Sequence, residues 1–113
     1  MSLIVYTAQY RYAGPDWLDI TVKGNDPLGR YFAPTWEMVT QYKRDMDQDA
    51  YTQAYVQLMR RSYQTNRAAW ENVLAQNRLV LVCFCPPEAF CHRIVLARLL
   101  SACGAQLGGE IAV

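Results

Sequence analysis

The chain lacks any apolar run long enough to span a bilayer, which takes about 20 residues. A membrane partner is therefore not expected. It also lacks charge of one dominant sign. The formal net charge is +1, so no bulk basic field draws it to nucleic acid or lipid, and any such contact must be local. Its first residues, Met1-Ser2-Leu3-Ile4-Val5-Tyr6, have neither a basic stretch nor a long apolar stretch behind it. They do not read as a signal peptide, and the expected location is the cytoplasm. No repeat and no low-complexity segment is present.

What is there is a globular composition. Hydrophobic residues make up 52% and charged residues 19%, which argues against disorder. The 113 residues suffice for one compact domain, expected over residues 1–113, and are too few for two. Four cysteines could suggest a disulfide scaffold, but their placement does not. Cys83, Cys85 and Cys91 crowd into one segment, and Cys103 falls on a helical pattern. Cys83 and Cys85 are separated by a single strand residue, too far apart to bridge in relaxed geometry. Reduced thiols in a reducing compartment fit better.

Strands are expected at residues 3–6 and 17–22, with Gly14-Pro15-Asp16 as the turn before the second. Residues 23–34 read as loop. Thr35 can cap a helix that carries Trp36, Val39, Tyr42 and Lys43 at helical spacing. Asp47 or Asp49 can cap a second helix over residues 50–64, with Tyr51, Tyr55, Leu58, Met59 and Ser62 on one face. A third, over 67–76, buries Ala69, Trp70, Val73 and Leu74. Residues 78–85 form a central strand without period-two alternation, so both of its faces are expected to be covered. A last helix ends at Cys103, with Gly104 in the position that favours a left-handed residue. Residues 108–113 make a final strand. This order predicts a small three-layer α/β, Rossmann-like domain with a mostly parallel sheet.

Chemistry concentrates where the central strand hands over to the last helix: Cys83-Phe84-Cys85, then Pro86-Pro87, then Cys91-His92-Arg93. In open α/β sheets ligands bind at this edge. If the helix starts at Pro87, Cys91-His92-Arg93 lie in its second turn; if it starts after Phe90, they open it. In the second case the exposed amides and the positive helix end favour an anion and a reactive thiol. Arg93 can clamp a phosphate or carboxylate, and His92 can relay a proton. Plainer readings stand beside these. Cys83, Cys103, Phe84 and Phe90 read as core. His92 reads equally as a structural, hydrogen-bonded histidine. Tyr51, Tyr55, Tyr63 and Trp70 are helix stripes; Asp45, Asp47 and Asp49 are a solvated turn; Arg60-Arg61 is a surface pair.

Zinc on Cys83, Cys85, Cys91 and His92 has the right ligand count, but adjacent Cys91 and His92 diverge on a helix. Zinc stays a minor alternative; the expectation is no cofactor and folding without metal. A phosphatase-type loop needs an arginine six residues after its cysteine, and the residues six after Cys83, Cys85 and Cys91 are Ala89, Cys91 and Ala97. A phosphate- or nucleotide-type anion pocket needs only what the segment offers.

With these residues in view, the chain resembles the DUF488 family of small α/β proteins, whose activities are largely unassigned. The match is Leu81-Val82-Cys83, Pro86-Pro87-Glu88 and Cys91-His92-Arg93, followed by an apolar helix. Residues 6–10, Leu18-Asp19-Ile20, the Phe32-Ala33-Pro34-Thr35 helix start and the spaced Tyr51 and Tyr55 agree more loosely. Two positions depart from the family pattern: Thr21 stands where an arginine is frequent, with Lys23 the nearest base, and Cys85 where an acid is frequent. The Cys-x-Cys…Cys-His pattern is also similar, more weakly, to DUF4326. Either resemblance implies the fold and the location of the site.

The functional expectation is a phosphate-bearing ligand, a nucleotide or a nucleic-acid end, bound at the Cys-His-Arg helix start. A Cys/His-dependent transferase or hydrolase would use Cys91 as nucleophile, His92 as acid and base, and Asp19 to orient a base or bind a hydroxyl. Arg93, Cys85, Lys23, Arg30, Thr7 and Tyr10 make up the expected ligand-binding set. Asp19 is expected near Cys91 and His92, paired with Arg93 or His92; Thr21 or a backbone amide is the alternative partner. The competing class is a non-enzymatic interaction module with structural or zinc-bound cysteines.

Overall fold

A computed structural model describes residues 3–84 and 90–112. The elements are β1 (Ile4–Gln9), β2 (Trp17–Asp19), a short 3-10 turn (Gly29–Phe32), α1 (Trp36–Asp45), α2 (Gln48–Thr65), α3 (Arg67–Leu74), β3 (Arg78–Cys83), α4 (His92–Ala102) and β4 (Gln106–Ile111). The four strands form one sheet in the order β2-β3-β1-β4, and every pairing is parallel. This is the expected α/β fold with a parallel sheet.

Local chemistry sets the element ends. Thr35 Oγ1 accepts from the Met38 amide at 3.1 Å, and Asp47 Oδ1 accepts from the Ala50 amide at 3.0 Å, so both expected N-caps form. The last helix takes the later of its two possible starts, with Cys91 as an extended N-cap residue. Gly104 follows α4 at φ +112°, a conformation that favours glycine. β1 is longer than expected because its ladder with β3 continues to Gln9 opposite Cys83. β2 is shorter: the Asp19 carboxylate bonds the Thr21 amide at 2.9 Å and turns the chain out of the sheet. The expected loop contains the 3-10 turn because Asp26 Oδ1 accepts from the amides of Leu28 and Gly29. A Cβ at Gly29 would lie 1.9 Å from the Asp19 carbonyl oxygen. Only glycine lets this turn sit against the end of β2.

Connection handedness explains the layers. With this strand order, β2→β3 and β3→β4 move the same way across the sheet, so right-handed crossovers put all their helices on one face. β1→β2 moves the other way, and its connection belongs on the opposite face. The core agrees. Val5, Leu18, Ile20, Leu79 and Leu81 join Tyr55, Met59, Trp70, Leu96 and Leu100 of the helices in the main cluster. Ala8, Val80 and Val82 form the second cluster, against Tyr6, Tyr12 and Ile111. Both faces of β3 are thus covered, one by helices and the other by neighbouring side chains and Tyr12 of the β1–β2 connection.

Helix α2 anchors the loop that follows β2. Tyr55 donates to the Phe32 carbonyl at 2.6 Å, and Ser62 donates to the Tyr31 carbonyl at 2.8 Å. The Trp70 indole in turn donates to Ser62 at 3.0 Å. Burial pushes the Tyr55 phenol well above its ordinary pKa, so it remains a neutral donor. Each fully buried leucine in this layer contributes roughly 1.5–3 kcal/mol. No helix among the described residues is long and apolar enough to cross a membrane.

Candidate functional site

In an all-parallel sheet the carboxyl ends of the strands share one edge. Cys83 is the last residue of β3, and Cys91 caps the helix that starts beside it. Both are buried, neither is in a disulfide, and their Sγ atoms are 2.7 Å apart. His92 Nδ1 is 3.5 Å from Cys91 Sγ, and His92 Nε2 is 2.7 Å from the Ile20 carbonyl oxygen. A carbonyl only accepts, so Nε2 carries a proton and donates. In the neutral ring Nδ1 is then the acceptor that faces the Cys91 thiol. Burial holds the imidazole below its ordinary pKa, which keeps this tautomer neutral at pH 7.

A cavity of about 460 Å³ opens over Cys83, Cys91 and His92. Trp36, Tyr42, Phe84 and Phe90 line it, together with Lys23 and Lys43. The Lys23 and Lys43 ammonium groups are 4.8 Å and 5.9 Å from the Trp36 ring centroid, within or near cation–π range. Tyr42 lies edge-on to Tyr51 and tilted against Phe90. The cavity therefore combines a thiol–imidazole floor, aromatic walls and two flexible cations.

Arg93, expected to clamp an anionic ligand, clamps a carboxylate of the protein itself. It is fully buried and does not line this cavity. Its Nη1 donates to Cys83 Sγ at 2.9 Å, while Nε and Nη2 form a fork on the Glu110 carboxylate at 3.3 Å each. Burial opposes its charge, but the neighbouring sulfurs of Cys83 and Cys91 and the Glu110 carboxylate raise its pKa above the ordinary arginine range. Thr7 is buried on the same face and donates its hydroxyl to Glu110. Glu110 was not singled out from sequence; an acid within the final strand, opposite Thr7 in register, was the signal.

Asp19 is buried, but its register places it with Val82, on the opposite face of the sheet from Cys83. The expected ion pair with Arg93 or His92 does not form. The carboxylate instead accepts from the Thr21 amide and from the Thr21 hydroxyl at 2.7 Å, with the Tyr10 hydroxyl at 3.4 Å. The strand alternation that puts Cys83 under the helices is what turns Asp19 away. Tyr10 lies on that face too and stacks on Phe84, with ring centroids 4.2 Å apart.

Lys23 reaches the cavity. Arg30 lines a separate depression, with Thr21, Thr35, Arg61 and Thr65. Cys85 and the Pro86-Pro87-Glu88 segment lie outside the described residues. Phe84 and Cys103, read as core, are exposed: Phe84 is the first residue beyond β3, and Cys103 follows the last turn of α4. Among the described residues no group of three or more His, Cys, Asp or Glu side chains is placed to hold a metal ion.

The fold and site define a small parallel α/β protein with a cysteine–histidine cavity at the strand ends. The chain matches the family model described as "Active DUF488-N3 subclade" (DUF488-N3a) over residues 16–104, and it belongs to the DUF488 family. No curated protein and no solved structure matches it.

Proposed function

We propose that the protein binds a phosphate-bearing, nucleotide-like ligand in this cavity and acts on it through Cys91 and His92. The observation that carries the reading is the Cys91–His92 pair on the floor of an aromatic-walled cavity that also holds two lysines. Aromatic walls suit a planar ring. Lys23 and Lys43 are mobile point charges suited to a phosphate. His92, oriented by the Ile20 carbonyl, takes the thiol proton through Nδ1 and leaves Cys91 as the nucleophile. A transferase or hydrolase follows from that pair. The description of the subclade as active supports an enzyme over a purely structural module.

Thermal unfolding with adenosine monophosphate, adenosine or inorganic phosphate as the probe tests the reading. A ligand at about ten times its Kd adds roughly 1.4 kcal/mol, which for a domain of this size raises Tm by on the order of 5 °C. The nucleotide should protect more than either fragment. The Lys23→Ala/Lys43→Ala double variant should lose the increment that the phosphate contributes. The nucleotide should also slow alkylation of Cys91 by iodoacetamide. Equal protection of variant and wild type, or none in either, overturns the proposal.

A further inference from the structure

Cys83 and Cys91 are eight residues apart in sequence and come from two elements, yet their sulfurs meet under one cavity. At 2.7 Å they are only about 0.7 Å farther apart than in a disulfide bond, whose length is near 2.04 Å. Both sulfur-bearing residues line the cavity, so a reagent as small as hydrogen peroxide has a route to them. A proton acceptor, His92 Nδ1, lies beside Cys91, and a fixed guanidinium donor lies beside Cys83. A resolving thiol within contact distance of an attacking one is the arrangement that redox-active cysteine pairs require.

We propose that Cys83 and Cys91 form a reversible dithiol–disulfide pair, oxidised by hydrogen peroxide that enters through the cavity. His92 Nδ1 takes the Cys91 proton. The Cys91 sulfur attacks the peroxide, an S–O bond forms and the O–O bond breaks. The departing hydroxide takes the proton from His92 and leaves as water, and Cys91 becomes a sulfenic acid. The Cys83 sulfur then attacks Cys91; the S–S bond forms, the S–O bond breaks, and the hydroxide leaves with the Cys83 proton as a second water. Two thiols lose two electrons and the peroxide gains them. An external thiol reverses the change by exchange through a mixed disulfide. No nucleotide takes part, so this chemistry stands or falls separately from the ligand proposal. Where both hold, oxidation consumes the nucleophile and switches the site off.

The test uses a Cys85→Ser/Cys103→Ser protein, which keeps only the two cysteines in question. Treated with hydrogen peroxide, it should become lighter by two hydrogen atoms, lose both titratable thiols together and regain them with dithiothreitol. Adding Cys83→Ser should abolish the reversible loss and leave Cys91 heavier by one or more oxygens. Oxygen addition to the protein that retains both cysteines, or a disulfide-linked dimer, overturns the proposal. So does an unchanged mass with both thiols still titratable after the treatment.

Discussion

Arg93 shows how far a residue's role depends on partners that the sequence does not place beside it. Its position after Cys91-His92 suggests a clamp for an anionic ligand. In the fold it is a fully buried cation, fixed between Cys83 and a carboxylate delivered by the last strand. The motif located the strand-to-helix junction correctly, but nothing local to it announces Glu110. The burial carries a consequence for stability. Arg93→Ala removes a buried side chain with its hydrogen bonds and should cost on the order of 3 kcal/mol. Glu110→Ala should cost about as much although Glu110 is partly exposed, because the charge left without its carboxylate is the buried one. Arg93→Lys cannot supply both the fork and the sulfur contact and should rescue only part. Urea unfolding of the three variants measures this. An Arg93→Ala protein as stable as the wild type would show that the ion pair holds nothing together.

At the scale of elements, β2 and the turn after it form the support of His92. Asp19 Oδ1 gathers the Thr21 amide and hydroxyl, and this turn fixes the backbone between them. The carbonyl it holds is that of Ile20, which orients His92. Asp19 is then a positioning residue, acting from the opposite face of the sheet through one backbone group. Its burial as an acid is legible from its apolar neighbours in residues 17–22; that the strand ends at Asp19 is not. Nor is its direction: whether a strand residue faces one layer or the other depends on register, and three residues of β2 leave too little alternation to read. Asp19→Ala leaves the Thr21 donors buried without their acceptor and should cost about 1–3 kcal/mol. It should also change the pH profile of Cys91 alkylation, because His92 loses its fixed orientation. Asp19→Asn keeps one acceptor oxygen and should fall between. If Asp19→Ala is destabilised but alkylates Cys91 with the wild-type pH profile, Asp19 supports the loop and not the histidine.

For the whole molecule, periodicity and caps revealed the elements because each helix has a local apolar face and a local start signal. Trp70 and Val73 of α3, and Tyr51, Tyr55 and Met59 of α2, are buried as their spacing predicts. Strand order was not legible in that way, since it is a property of pairings between distant segments. Yet it decides that every helix packs on the face that carries Cys83, and so that His92 is buried. Burial of a lone imidazole links the site to global stability. His92 has a folded-state pKa below its unfolded value, with desolvation as the leading cause. Above the unfolded value of about 6.5, both states hold the ring neutral and it adds no pH dependence. As pH falls through that value the unfolded chain takes up a proton that the folded one resists, so stability declines. The decline can approach about 1.4 kcal/mol per pH unit, the limit for one proton, and it begins well above the range where ordinary carboxylates titrate. Urea midpoints measured between pH 8 and pH 5 should therefore be flat at first and then drop below about pH 6.5. The single histidine makes the control clean: His92→Asn should be less stable at pH 8 but lose the drop between pH 6.5 and pH 5. The same drop in both proteins would assign the acid sensitivity to other groups and remove the buried neutral histidine from the account.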